Sequence, residues 1–379
     1  NKMLAVGLMS GTSLDGVDAC LVEIRKHNKR KFVIKNFCYL PYEKEFKKRL
    51  YELSTNVNIT IQKVCSMNVE LSKRYVKAVK KLLEESHLKS EDIEFIAMHG
   101  QTVWHNPQEQ DGFESSTLQL GDPSYLAVEL NIKVISNFRM ADMAAGGSGA
   151  PLVPFANYVL YASDKENIAM QNIGGISNVT FLKKGGKIDD IIAFDTGPGN
   201  MLIDLAMKRL YNRDFDDCGK IALSGKIIEP VLEELLQDSY LYLDVPKSTG
   251  REKYNESYLS EVILKIRSNG GSDADIITTL TAYTVDAICL EYEKFLPPID
   301  LVIVSGGGVF NEYIMDRLRN KLAAKVESDY NADSLEALSF VILGYQTLNH
   351  LPSNVPSVTG AKKEVVLGSI TNPIIKGKR

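Results

Sequence analysis

Two hydrophobic patterns alternate along this chain. One consists of short apolar runs that stop at polar or glycine-rich turns; the other repeats at helical spacing. Residues 4–9 form an apolar run entering Ser10-Gly11-Thr12-Ser13-Leu14-Asp15-Gly16, and residues 17–24 resume beyond it. That pattern predicts strand, tight polar turn, strand. The basic cluster 25–31 separates it from the apolar run 32–34, a second hairpin whose turn carries solvated charge. Between 60 and 85, Val64, Leu71, Tyr75, Ala78 and Leu82 fall on one helix face, with Thr60 placed to cap it. Residues 93–98 read as a buried strand ending in His99-Gly100-Gln101-Thr102. A small-residue passage over 144–154 then leads into a short helical stretch.

The second half repeats the plan. Residues 168–172 enter the turn Gly174-Gly175-Ile176-Ser177-Asn178, and 179–182 resume as a strand. Residues 191–194 form a strand running into Asp195-Thr196-Gly197-Pro198-Gly199-Asn200 and then a helix. A later strand, 301–304, ends in Ser305-Gly306-Gly307-Gly308. The repetition predicts two related α/β domains facing each other across a cleft. The expected division is 1–140 and 141–379, with the crossover near 140–165; a C-terminal segment returning to the first domain is compatible with it. Residues 144–149 are expected to form part of a hinge that closes on ligand, since few side chains there resist backbone rotation.

Composition narrows the class. The 379 residues are 44% hydrophobic and 24% charged, as expected of a folded globular protein. Lys and Arg number 44 against 48 Asp and Glu, a net charge of −4. Such a balance gives no broad basic field for nucleic acid or anionic lipid, and the basic cluster 25–31 has no interleaved aromatics on which bases could stack. No apolar stretch approaches the ~20 residues of a membrane span. The opening run has no signal-peptide cleavage pattern. Five cysteines at wide spacing, with no CxxC pair, are expected to be reduced and buried, which suits a cytoplasmic protein.

Glycine placement points to chemistry. Glycine-rich turns follow strands at 11–16, 174–175, 197–199 and 306–308; such turns let backbone approach a ligand and let bare N–H groups cradle phosphate. There is no P-loop, no Rossmann fingerprint and no protein-kinase set. Two carboxylates stand in these turns. Asp195, at the end of an apolar strand, can serve as general base, magnesium ligand or helix cap. Asp15 can serve a ligand or simply make an Asp-Gly hairpin turn. His99 and His105 lack partners at metal-ligand spacing. Arg139 and Asp142 can bind a polar ligand or pair with each other.

Gly7-Leu-Met-Ser-Gly-Thr-Ser-Leu-Asp-Gly-Val-Asp18 closely resembles the opening signature of the 1,6-anhydro-N-acetylmuramic acid kinases. Further matches are His99-Gly-Gln-Thr102, Gln119-Leu-Gly-Asp122, Asn172-Ile-Gly-Gly175 with Asn178, and Phe194-Asp-Thr-Gly-Pro-Gly-Asn200. Lys247-Ser-Thr-Gly-Arg-Glu252, Ser305-Gly-Gly-Gly308 with Asn311, Glu336-Ala337 and Val358-Thr-Gly-Ala361 complete the set. The basic cluster 25–31 and the Lys-rich tail from Lys376 look like local variation. The resemblance implies the sugar kinase/Hsp70/actin superfamily, with two ribonuclease-H-like (actin-like ATPase) domains around an ATP cleft. It implies a cytoplasmic transferase of amino sugar metabolism that uses ATP and Mg²⁺, and a homodimer.

By the same resemblance, Gly11, Thr12, Ser13, Leu14, Asp15, Gly16, Val17 and Asp18 cradle the ATP phosphates, with Asp15 toward the metal. Gly174, Gly175, Gly197, Gly306, Gly307, Gly308 and Asn311 complete the nucleotide site. Asp195 matches the base that activates water, and His99, Gln101, Thr102, Arg139, Asp142, Asn172, Asn178 and Glu336 are assigned to the sugar. Two other readings compete: a kinase for another sugar or acyl acid on the same fold, and a non-catalytic nucleotide sensor or actin-like assembly protein.

Overall fold

The structure, a computed structural model, describes residues 2–26 and 31–373. Most of the basic turn (27–30) and the Lys-rich tail from Lys376 lie outside them. The strands are β1 (Lys2–Ser10), β2 (Gly16–Arg25), β3 (Phe32–Pro41), β4 (Phe95–Asn106), β5 (Ser116–Leu120), β6 (Lys133–Ser136), β7 (Ile168–Ile173), β8 (Ile176–Leu182), β9 (Ile192–Pro198), β10 (Leu301–Ser305), β11 (Lys325–Ser328) and β12 (Ser369–Thr371). The chain divides into two compact units, Asn1–Leu160 with Asp333–Arg379, and Tyr161–Ala332.

The first unit holds a seven-stranded sheet ordered β12-β6-β4-β1-β2-β3, with β5 paired to β4. β1, β2 and β3 form an antiparallel meander, and β4 and β6 run parallel to β1. The second unit holds a five-stranded sheet ordered β11-β10-β7-β8-β9. There too the first three strands form an antiparallel meander, and the last two join parallel to the first. With β5 and the edge strand β12 set aside, the order counted within each unit is 3-2-1-4-5, the ribonuclease-H-like arrangement. The duplication read from the sequence is therefore a duplication of topology.

Packing explains the strand pattern. β1 is buried on both faces from Ala5 onward because helices cover both sides. On one side, helix Ile61–Glu85 lays Leu71, Tyr75, Ala78 and Leu82 against Val6, Leu8 and Leu21. Its first turn is capped as expected, Thr60 Oγ1 accepting from Lys63 N–H. On the other side lies helix Ala332–Leu348, so close that a Cβ on Gly7 would stand 2.2 Å from the Ala337 carbonyl oxygen. That contact, and the pairing of β12 with β6, explain why residues 333–379 belong with the first unit. Residues 141–160 also group there, so the division at 140/141 is not the one this fold makes.

The small-residue passage is not built as a hinge. Ser148 N–H bonds Thr359 O, Lys362 N–H bonds Ala145 O, and Gly149 N–H bonds the Asp142 carboxylate, all within the first unit. Small residues here permit close packing. The cysteines depart from expectation as well: Cys20 and Cys38 are buried, but Cys65 and Cys218 are exposed. In the second unit, helix Asp273–Phe295 is buried along most of its length, and its threonines meet their hydrogen-bonding needs inside the core. Thr284 Oγ1, for instance, donates to Gly199 O at 2.7 Å.

Candidate active site

In the second unit, strand register brings a polar row together. Ser305 on β10 stands opposite Asn172 on β7, Asn172 opposite Asn178 on β8, and Asn178 opposite Asp195 on β9. Residues directly opposite in a sheet share a face, so four side chains far apart in sequence form one line. Asn172 Nδ2 donates to Ser305 Oγ at 3.4 Å. β9 does not stop at Phe194. It continues to Pro198 because β8 keeps pairing with Asp195 and Gly197, while Thr196 bulges between them. Thr196 turns inward to accept from Gln171 Nε2, which leaves Asp195 half-buried on the polar face.

Asp195 is held from three directions. Its carboxylate accepts from Thr249 N–H at 3.0 Å, its own N–H donates to Lys247 O, and Tyr240 OH donates to its carbonyl at 2.7 Å. Burial raises its pKa from 3.8 to about 6; the Thr249 bond opposes the shift and Glu252 adds to it. The cap position of helix Met201–Tyr211 belongs to Asn200, which removes the helix-cap reading of Asp195.

The glycines divide by environment. The Gly174-Gly175 turn is fastened to the start of helix Met201–Tyr211: Gly199 and Met201 N–H bond Gly175 O, and Asn200 N–H bonds Gly174 O. Gly306 has φ +85°, and a Cβ there would lie 2.7 Å from Ile173 O; one on Gly308 would strike the Ile173 side chain. Gly307 is exposed, with only Asn200 Nδ2 nearby, at 3.6 Å from where its Cβ would be. Asn311 is buried and caps helix Glu312–Lys321 through Ile314 N–H. Its placement is that of a structural cap.

In the first unit, the 11–16 turn projects between β1 and β2. Thr12, Ser13 and Asp15 are exposed, and a Cβ on Gly11 would meet nothing within 4 Å. Leu14 adopts φ +57° and buries its side chain beneath the turn. Side chains support the turn from inside: Gln101 Nε2 donates to Gly11 O at 3.0 Å, and Tyr42 OH donates to Ser10 Oγ, which donates to Tyr75 OH. Asp15 pairs with Lys47 at the surface. Asp18, at the start of β2, is the half-buried carboxylate of this segment. Desolvation raises its pKa to about 7, and Asp333 and Glu336 push it the same way.

The sugar-assigned residues of this unit separate into two groups. His99 Nε2 accepts from Arg139 Nε and Nη2 (3.1 and 2.8 Å), while its Nδ1 lies 2.8 Å from Gly100 O. Two donors on Nε2 fix the tautomer with the proton on Nδ1, and burial, then Arg139, lower the pKa to about 3. His99 is therefore neutral. Glu336 is raised by burial and by Asp333, with Arg139 pulling it down. Arg139 does not pair with Asp142. Asp142 is 0% exposed, its oxygens accepting from Gly149 N–H, Asn354 Nδ2 and Thr359 Oγ1. That geometry makes it an internal anchor with no face left for a ligand. Thr102 pairs with Gln119 across β4 and β5, because β4 bends at Gly100 and continues to Asn106.

Tyr240, Thr249 and Glu291 around Asp195, and Ser10, Tyr42 and Tyr75 beneath the open turn, carry site contacts to which the sequence analysis gives no role, although Thr249 lies in the Lys247–Glu252 motif, Ser10 in the first turn and Tyr75 on the helix face. Among the described residues, no group of three His, Cys, Asp or Glu side chains converges at metal-ligand geometry. Nor is any helix among them long and apolar enough to cross a membrane.

A family model described as anhydro-N-acetylmuramic acid kinase matches residues 3–373. The anhydro-N-acetylmuramic acid kinase of Clostridioides difficile (strain 630) is 43% identical over 386 residues, covering 99% of this chain and all of the relative. That of Caldanaerobacter subterraneus subsp. tengcongensis is 42% identical over 384 residues, covering 98% and 97%. Among solved structures, component A of the (R)-2-hydroxyglutaryl-CoA dehydratase of Acidaminococcus fermentans aligns with a TM-score of 0.48 and 12% identity, over 92% of this chain and 99% of that one.

Proposed function

The chain belongs to the anhydro-N-acetylmuramic acid kinase family, and from that membership we propose that it opens 1,6-anhydro-N-acetylmuramic acid with water while transferring the γ-phosphate of ATP to O6. The products are N-acetylmuramic acid 6-phosphate and ADP, a step of cytoplasmic peptidoglycan recycling. The observation that carries this reading is Asp195, a half-buried carboxylate held by Thr249 N–H at the end of a polar row.

The chemistry needs one such group. Water attacks C1 on the face opposite the bridging oxygen, as in inverting glycosidases, and Asp195 takes the proton. The C1–O6 bond breaks as O6 attacks phosphorus, and the bond from phosphorus to the bridging oxygen of ADP breaks in turn. The phosphoryl group thus replaces the general acid that a glycosidase would supply. A pKa near 6 leaves Asp195 ionised at neutral pH yet basic enough to accept a proton.

The remaining residues position. The hydroxyls of exposed Thr12 and Ser13 suit phosphate oxygens, and exposed Gly307 suits a flat nucleoside surface. Asn172, Asn178 and Ser305 offer amide and hydroxyl partners beside Asp195. Neutral His99, with Arg139 and Glu336, supplies a polar contact set in the first unit. For magnesium, Asp15 does not fit, being exposed and paired with Lys47. Asp18 fits better, because its carboxylate neighbours disfavour its charge and a cation would restore it. A bound Mg²⁺ would shield phosphate charge, held largely by phosphate oxygens and water. The homodimer stays part of the proposal, and sedimentation velocity tests it.

Coupled ATP turnover tests the function. The expected result is ADP release with the anhydro-sugar and none with plain N-acetylmuramic acid. Turnover with the plain sugar would favour an ordinary sugar kinase, and turnover with neither, despite nucleotide binding, a sensor or assembly protein.

A further inference from the structure

Behind Asp195 lies an ion pair that the proposed chemistry does not use. Lys247 and Glu291 are 3% and 0% exposed, with Nζ 2.9 Å from Glu291 Oε2 and 3.0 Å from Oε1. The ammonium is enclosed by the rings of Phe194, Tyr240 and Phe295 and donates to Tyr240 O at 2.9 Å. A buried pair of this kind is weak evidence for stability, since desolvation offsets much of the attraction. Its position suggests another use. The Lys247 carbonyl receives the Asp195 N–H, and two residues on, Thr249 N–H reaches the Asp195 carboxylate. Tyr240, fixed to the same ammonium through its carbonyl, donates its hydroxyl to Asp195 O. Two of the three contacts that hold Asp195 thus come from the Lys247–Thr249 strand of loop, and the third from a residue bonded to Lys247.

We propose that Lys247 is a positioning residue for Asp195: pinned to Glu291, it holds the 247–252 loop so that Thr249 N–H stays on the carboxylate. The inference rests on Asp195 acting as the base. Lys247 touches no substrate in this scheme, and its charge is spent on Glu291. It sets the direction of the base through the loop, much as a supporting group orients a catalytic ligand.

The groups facing Asp195 are Glu252 and Thr249 on the loop, Tyr240 behind it and Asn178 across the strand. Of the influences on its carboxyl, the Thr249 bond lowers the pKa, so losing that bond raises it. The test uses Lys247→Met with Glu291→Leu, a double variant that leaves no unpaired buried charge, beside Lys247→Arg and Asp195→Asn. In the double variant kcat falls about 10- to 100-fold, the scale of a misplaced catalytic group, with both KM values within about twofold. The acid limb of kcat/KM moves up from about 6, and Lys247→Arg restores part of the loss.

A readout independent of turnover is the Thr249 amide proton by NMR. In the unaltered protein its shift follows pH with a midpoint near 6 and is flat in Asp195→Asn; in the double variant it is flat as well. A folded double variant with unchanged or lowered acid limb, or with the Thr249 titration intact, overturns the positioning role. Normal turnover in Asp195→Asn, by contrast, overturns the base itself.

Discussion

The two sheets share one topology but finish their first hairpins in opposite ways. In the first unit the 11–16 turn stands open, with Thr12, Ser13 and Asp15 exposed, supported from below by the Gln101 and Tyr42 side chains. In the second, the Gly174-Gly175 turn is closed by backbone N–H groups of 199–201. An open turn has donors to give a polyanion. A closed turn has spent its carbonyls on rigidity, and what it fixes is the neighbouring row ending in Asp195. The carboxylates differ in the same sense. Burial, then two neighbouring acids, push Asp18 to about 7, whereas Asp195, also raised by burial, has an N–H donor and rests near 6. Duplication supplied the frame, and the proposed function assigns charge to one copy and the proton to the other.

Breaking that contrast at Asp195 has the largest expected effect. Asp195→Asn is expected to lose ~10²–10⁴-fold in turnover, the usual range for a general base, while keeping ATP affinity. A large loss of Mg-ATP affinity in isothermal titration would instead place Asp195 on the metal. Next in size is the pH dependence. The folded pKa of Asp195 is raised to about 6, and the base works only when ionised. Activity is therefore present above that value and lost below it, about tenfold in kcat/KM at pH 5. Asp18→Asn should leave this limb in place; a limb that moves with Asp18 would reverse the division of labour.

The closed turn is tested through stability. A Cβ on Gly199 would sit 2.2 Å from Gly174 O, so Gly199→Ala is expected to cost about 1–3 kcal/mol, as overpacking does, read by thermal unfolding. Gly11→Ala meets open space and should stay within about 0.5 kcal/mol of the parent. The smallest effect is on nucleotide binding alone. Gly307→Val is expected to raise the KM for ATP with unchanged melting temperature, since Gly307 is exposed while Gly306 and Gly308 are hemmed in by Ile173. Unchanged nucleotide affinity would mean that the glycines serve only the turn.

Much of the frame was legible in the chain because its signals are local. The 4–9 and 17–24 runs, the Thr60 cap and the helix face of Leu71, Tyr75, Ala78 and Leu82 follow from short-range periodicity. Legibility failed where register or distant packing decides. The polar row from Ser305 to Asp195 depends on the pairing of Ser305 with Asn172 across 133 residues of separation, which no window of sequence contains. β9 was cut short at Phe194 because a bulge at Thr196 hides its alternation. Asp142 looked like a ligand-binding carboxylate, yet the partners that bury it, Asn354 and Thr359, arrive from more than 200 residues away. The pairing of Lys247 with Glu291 was not legible for the same reason: neither residue alone announces an ion pair.

The most direct test of the central claim, that water adds at C1 on the face opposite the bridge, is the anomeric form of the first product. The 1,6-bridge occupies the β face of the sugar, so attack from the opposite side yields the α-anomer. Rapid-sampling ¹H NMR under single turnover, before mutarotation, should show the α-anomer of the 6-phosphate in excess, appearing in step with ADP. A β-anomer at the earliest time point, or ADP formed without opening of the anhydro-sugar, would contradict it.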